Sequence, residues 1–269
     1  MKTRELAIQD KRAQTDREDV THRTILIQFL FDSQLLGGNG AAGIDFRGID
    51  LSGVDLEAIR LSSVNLSDAK FRSTNLQRAD LSQTDLSRAD LVEARLIESD
   101  LEKAVLSDAL LSRADLTKAK LSQATLQRVG GIEACLIAAD LSHADLSEAV
   151  LVKANLSGSY VITLLNPEAD LQFKPSVTFV AAVLMRANIA RADLHLANFS
   201  RAVLTNTDLS DTILINADFT EADLRGTDFR GAQLQKARFP GAFYNNKTHW
   251  PSGFAPPSEA INVDKRDVV

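Results

Sequence analysis

Only one cysteine, Cys135, is present, so the chain has no disulfide framework and no thiolate set for zinc. The four histidines, His22, His143, His195 and His249, sit on separate segments without metal-ligand spacing. There is no glycine-rich phosphate loop, no nucleophile elbow and no Cys–His pairing that the pattern would bring together. An enzyme needs such groups to converge in a concavity. The expectation is therefore a non-catalytic protein with no cofactor and no metal site. No stretch approaches the ~20 apolar residues of a membrane span. The first five residues mix both charge signs where a secretory signal would have an apolar core. No membrane partner is expected, and the expected compartment is the cytoplasm. Aromatics are scarce at 6%.

What the chain has instead is a beat of five. Between Ala79 and Leu91 it reads Ala-Asp-Leu-Ser-Gln, Thr-Asp-Leu-Ser-Arg, Ala-Asp-Leu. Leu or Phe recurs every fifth residue from Leu51 to Leu126 and again from Leu136 to Leu156. A second series, shifted in phase, runs from Phe179 through Phe199, Phe219 and Phe239 to Tyr244. A period of five fits neither a helix nor a plain strand. It fits a square coil whose every side is one five-residue unit. The central Leu or Phe and the small residue two before it point inward, and the other three face water. Such a coil has a narrow interior, which explains alanine at Ala79, Ala89, Ala94, Ala104, Ala109, Ala114 and Ala119. The Asp before each central residue is expected to hold its turn by hydrogen-bonding nearby backbone.

This pattern resembles the pentapeptide-repeat family, Ala-(Asp/Asn)-Leu-X-X, over about four-fifths of the chain. The resemblance implies an all-β solenoid, a right-handed quadrilateral β-helix with four units per coil. That gives about nine coils and a rod ~45 Å long at ~4.8 Å per layer. Phe179, Phe199, Phe219 and Phe239, spaced by twenty, should stack as one column.

The chain divides into a charged segment and capping helix (1–43), a first repeat block (44–156), a phase break (157–178), a second block (179–244) and a carboxy-terminal cap and tail (245–269). In the cap, Leu26, Phe29, Leu30 and Ser33 make a helical stripe that Gly37 and Gly38 stop. An amphipathic helix laid over the first coil would block edge pairing, the alternative being a partner-binding helix or dimer arm. The stretch from His22 to Leu36, and Trp250-Pro251-Ser252-Gly253-Phe254, resemble the flanks of a group of this family common in cyanobacteria. The second motif should fold over the last coil, leaving a loose tail from about Ser258. Gly130-Gly131 removes a central Leu, and a local bulge or kink is expected there. The phase break, with Pro167 and Pro175, reads either as a protruding loop or as an irregular connection.

Three functional readings follow, the most distant being an enzyme of unknown type. The family resemblance implies, as one alternative, a DNA mimic that binds DNA gyrase, and the net charge of −6 invites it. Charge placement opposes it: residues twenty apart read Asp68, Arg88, Asp108, Arg128, Glu148 on one edge and Glu93, Arg113, Glu133, Lys153 on the next. Signs alternate where a mimic would hold one sign, and no basic stripe for nucleic acid remains. The favoured reading is a scaffold that binds a protein partner, with monomer and dimer both left open. Its candidate surface is the outward apolar set Leu110, Ile132, Val150 and Val152 on one side, with Ile97 and Ile137 on the adjoining one. Either the phase-break segment folds back over this set, or the set is an open binding patch.

Overall fold

A computed structural model describes Thr21, His22, Ile25, Ile27 and residues 46–160 and 177–265. Backbone bridges define the architecture. From Asp50 to Tyr160 every bridge is parallel and joins residues twenty apart, such as Asp80↔Asp100 and Asp140↔Tyr160. With one unit per side, each coil has four sides; they are numbered here from the units centred on Leu51, Leu56, Leu61 and Leu66. The central residues and the small residues two before them are buried, as Leu81, Ala89, Leu96 and Ala104 illustrate with 0% exposure.

Each corner is a four-residue turn closed by one hydrogen bond, for instance from Ala79 N–H to the Leu76 carbonyl at 3.1 Å. The third residue of the turn has positive φ, as in a type II turn. Thirty non-glycine residues among those described adopt it, with Arg113 at 58° and Glu133 at 60°. That conformation costs an L-residue about 1–2 kcal/mol. Its offset lies along the rod: the strained N–H donates to the next coil, as Arg113 does to the Ile132 carbonyl at 2.9 Å. The aspartate before each centre acts as expected. Asp80 Oδ1 accepts from the Ser82 N–H at 3.1 Å and from its hydroxyl at 2.7 Å.

Threonines at inward positions are also satisfied. Thr74 and Thr84 donate to the Leu51 and Leu61 carbonyls of the preceding coil, both at 2.7 Å. The phenylalanine column is present: Phe179, Phe199, Phe219 and Phe239 stack at 4.8, 5.1 and 5.1 Å.

Three expectations change. No bulge interrupts Gly130-Gly131, because Leu110↔Gly130↔Val150 bridges continue through it. The missing side chain is replaced by that of Leu151, whose Cδ2 lies 2.6 Å from where a Gly131 Cβ would stand. The two repeat blocks form one coil, since Asp145↔Thr178, Val150↔Val183 and Asn155↔Asn188 bridge thirty-three residues apart, thirteen more than a turn. The phase break is therefore an insertion entered after Tyr160 on the third side and left at Val177 on the fourth, and residues 161–176 lie outside the described residues. Lastly, residues 259–265 are not loose. Strand β2 (Ile261–Asn262) pairs in parallel with β1 (Phe243–Tyr244), and Asp264 accepts from the Asn246 N–H. Trp250 covers the last coil, stacked on Phe229 at 5.2 Å and edge-on to Phe239 at 5.5 Å.

At the other end Thr21, His22, Ile25 and Ile27 are helical, and Ile27 is buried in the core cluster. The expected stripe of Leu26, Phe29, Leu30 and Ser33 lies outside the described residues.

Candidate protein-binding surface

On each side, two residues per unit lie on the outer face, one before and one after the buried centre, and most face solvent; Val92, Ser67 and Ser142 are covered. Bridges stack them into columns. On the first side the leading column reads Asp50, Lys70, Asp90, Leu110, Gly130, Val150, Val183, Val203, Asp223. It turns apolar at Leu110 and stays so through Val203. The trailing column beside it contains Val92, Ser112, Ile132, Val152 and Met185. Leu110 is 47% exposed, Ile132 46%, Val150 38% and Met185 39%. These exposures matter because the other sides mostly place Asp, Asn or Ser at such positions, where exposed large apolar residues such as Val105 on the fourth side and Tyr160 on the third do not form a run.

The strip has charged borders. At one corner, Arg113 pairs with Glu93 at 2.8 Å and Lys153 with Glu133 at 3.2 Å. At the other, Arg88 grips Asp68 through two bonds at 2.7 and 2.6 Å, and Arg128 grips Asp108 at 2.8 and 2.7 Å. These guanidinium hydrogen bonds hold the Asp68 and Asp108 carboxyls below their ordinary value and raise the arginines above theirs. The ends are closed by Arg72–Asp90 at 2.6 Å and Arg225–Asp223 at 2.6 Å. An apolar centre inside a polar rim is the anatomy of a protein interface.

Of the residues singled out in the sequence, Leu110, Ile132, Val150 and Val152 come together. Ile137, like Ile97, is half-buried on the second side, across the Glu133–Lys153 corner from the strip. Val183, Met185 and Val203 extend the surface and were hidden by the insertion, which displaces their numbers by thirteen from the columns they join. Subtracting that offset aligns them. The insertion begins on the third side, opposite the strip, and a fold-back of the segment over the patch concerns residues outside those described.

Chemistry elsewhere is sparse. Among the described residues no three His, Cys, Asp or Glu side chains gather to hold a metal, and no helix is long and apolar enough to cross a membrane. Cys135 is half-buried, with Thr117 Oγ1 3.3 Å from its sulfur. One pairing the sequence reading missed is His195 Nδ1 with Asp193 Oδ1 at 2.7 Å, two residues apart on the third side.

Comparison with known proteins agrees with the architecture. A family model described as pentapeptide repeats, in eight copies, matches residues 49–88, 89–128, 133–161, 182–220 and 202–241. HetL, a pentapeptide repeat protein involved in heterocyst differentiation regulation from the cyanobacterium Nostoc sp. strain PCC 7120, is similar at 31% identity. That match covers 75% of this chain and 92% of HetL, with a TM-score of 0.50. QnrB1, a plasmid-mediated fluoroquinolone resistance protein, matches at 18% identity over 66% of this chain and 86% of its own, with a TM-score of 0.43. A pentapeptide repeat protein from the Arabidopsis thaliana thylakoid lumen matches at 31% identity over 40% of this chain and 72% of its own, with a TM-score of 0.22. No curated protein matches. With its five-residue beat matched over most of its length and its bridges twenty apart, the chain belongs to the pentapeptide-repeat family.

Proposed function

We propose that the protein is a non-catalytic scaffold that binds another protein through the apolar strip on its first side. The observation that carries this reading is the unbroken run Leu110, Gly130, Val150, Val183, Val203, flanked by Ile132, Val152 and Met185 and bordered by ion pairs. Covering a few hundred Å² of such surface would supply several kcal/mol at ~25 cal/mol per Å², before the costs of association. A regulatory setting is supported by the similarity to HetL. The amino-terminal helix closes the first coil, a role supported by the burial of Ile27 in the core. The alternating corner charges oppose a DNA mimic, since each edge changes sign from layer to layer where a mimic would hold one sign along the rod.

The test is site-specific photocrosslinking. Benzoylphenylalanine replaces Ser112 in the strip or Ser122 on the opposite side, and each variant is irradiated in lysate of its native host. Protein adducts should form from position 112 and be several-fold weaker from 122. Equal yields from the two positions, or none from 112, would remove the first side as the binding surface.

A further inference from the structure

The first side is complementary to itself, and this depends on comparing positions within each coil. Read across the side, one layer carries a corner charge, a leading residue, a trailing residue and a second corner charge. Successive layers read Arg88, Asp90, Val92, Glu93; then Asp108, Leu110, Ser112, Arg113; then Arg128, Gly130, Ile132, Glu133; then Glu148, Val150, Val152, Lys153. In each of these layers the two corners have opposite sign. A two-fold axis parallel to the rod and running down the middle of the side places one corner of a layer against the other corner of the same layer in a second copy. Arg88 then meets the second copy's Glu93, Asp108 its Arg113, Arg128 its Glu133 and Glu148 its Lys153. All of these are attractive, and each occurs twice.

Side-chain size follows the same symmetry. The axis sets the leading column against the trailing column, so Leu110 faces a second Ser112 and Gly130 faces a second Ile132. A large residue meets a small one in both layers, so the knob of each copy finds room in the other. Val150 facing Val152 and Val183 facing Met185 continue the contact. An antiparallel arrangement centred on the strip loses this match, because it opposes Arg113 to Arg186 and Arg88 to Arg201. We propose that the partner of this side is a second copy of the chain, docked parallel and in register about a two-fold axis along the rod. This rests on the reading of the first side as a protein-binding surface and names what it binds.

The contact spans six layers, from Asp90 to Val203. At ~4.8 Å per layer and ~3.3 Å per residue across a five-residue side, it covers about 900 Å² over both copies, below a stable interface and in the range of weak, transient ones. The dimer is therefore expected to dissociate in the micromolar range, at about 10–100 µM, and to weaken as salt screens the corner pairs.

Sedimentation equilibrium of the full chain, from low micromolar to several hundred micromolar, should show a reversible monomer–dimer equilibrium. Ile132→Asp and Ser112→Arg should each raise the dissociation constant about 100-fold. Both positions face solvent, and an unchanged circular-dichroism melt identifies each variant as folded. Register is tested in a Cys135→Ser background by mixing a Leu110→Cys chain with a differently tagged Ser112→Cys chain under mild oxidation. A disulfide joining the two tags, in at least several-fold excess over either chain crosslinked to itself, is the expected result. A chain that stays monomeric at several hundred micromolar overturns self-pairing, as does a dimer in which that heterologous disulfide does not form. If the chain is monomeric while the Ser112 photoprobe still captures foreign proteins, self-pairing falls and the binding-surface reading stands. If the probe captures nothing as well, both fall.

Discussion

Phe199 tests whether the core is built layer by layer, each layer independent of its neighbours in shape. The residue is fully buried, and its ring lies between those of Phe179 at 4.8 Å and Phe219 at 5.1 Å, both within 1° of parallel. The same column holds leucine in earlier coils. There the backbone spacing is unchanged: Leu126 N–H reaches the Asp145 carbonyl at 2.7 Å, and Phe199 N–H reaches the Asp218 carbonyl at 2.7 Å. Phe199→Leu therefore places in the stack a residue the coil already accepts. It loses part of one ring's burial and two stacking contacts of about 0.5–1.5 kcal/mol each, for a total near 2 kcal/mol. Phe199→Ala leaves a ring-sized cavity between rigid layers and should cost about 3–5 kcal/mol. Urea titration followed by circular dichroism reads both as shifts in midpoint at constant slope. If the leucine variant loses as much as the alanine variant, the layers do not interchange as described. A loss below about 1 kcal/mol for alanine would mean the stack is not a packed core.

Two further outcomes follow from the geometry. Ala114→Phe forces a ring into a fully buried methyl site whose N–H bonds Leu111 and whose carbonyl accepts from Cys135, both at 2.9 Å, whereas Ser112→Phe adds a ring outside. Thermal melts should show the first losing about 3 kcal/mol or more and the second nearly unchanged, and equal losses would contradict the inward–outward assignment. The Asp68, Asp108 and Asp228 carboxyls lie below their ordinary 3.8, held there by hydrogen bonds from Arg88, Arg128 and Arg230. The unfolded chain then binds more protons than the native one, so this contribution is complete above the unfolded value and is lost as pH falls through the folded values. The melting temperature should be level from about pH 7 to 5 and fall below about 4, with Asp108→Asn flattening that fall; a variant that falls as steeply as wild type would remove the Arg128 pair as a cause.

How much of this was legible in the sequence depends on what each feature repeats. Ala109, Leu111 and the phenylalanine column could be read because burial recurs every five residues and stacking every twenty. Asp80 could be read as a turn-holder because a short carboxylate one residue before a turn has a backbone N–H within reach. The alternating corners became ion pairs such as Arg128–Asp108 because one layer separates them. Val183, Met185 and Val203 were not legible in the strip, since counting by twenty fails across an insertion whose length is not a multiple of five. Gly131 suggested a kink, but its neighbour Leu151 has a flexible side chain long enough to fill the space, and composition does not reveal that. Nor did the beat announce β2, because Ile261-Asn262 lies beyond the last repeat and joins the coil only by backbone pairing with Phe243-Tyr244.

The claim that the first side is a binding surface rather than part of the structural core is tested most directly by Ile132→Asp and Val152→Asp. Ile132 is 46% exposed and Val152 half-buried, both on the outer layer of the strip. Each variant is measured twice, by thermal melt and by adduct yield from the Ser112 photoprobe. The account predicts a melt within about 0.5 kcal/mol of wild type, as for ordinary surface positions, together with loss of most adducts. An earlier melt with adducts retained would show that these side chains serve the fold and not a partner.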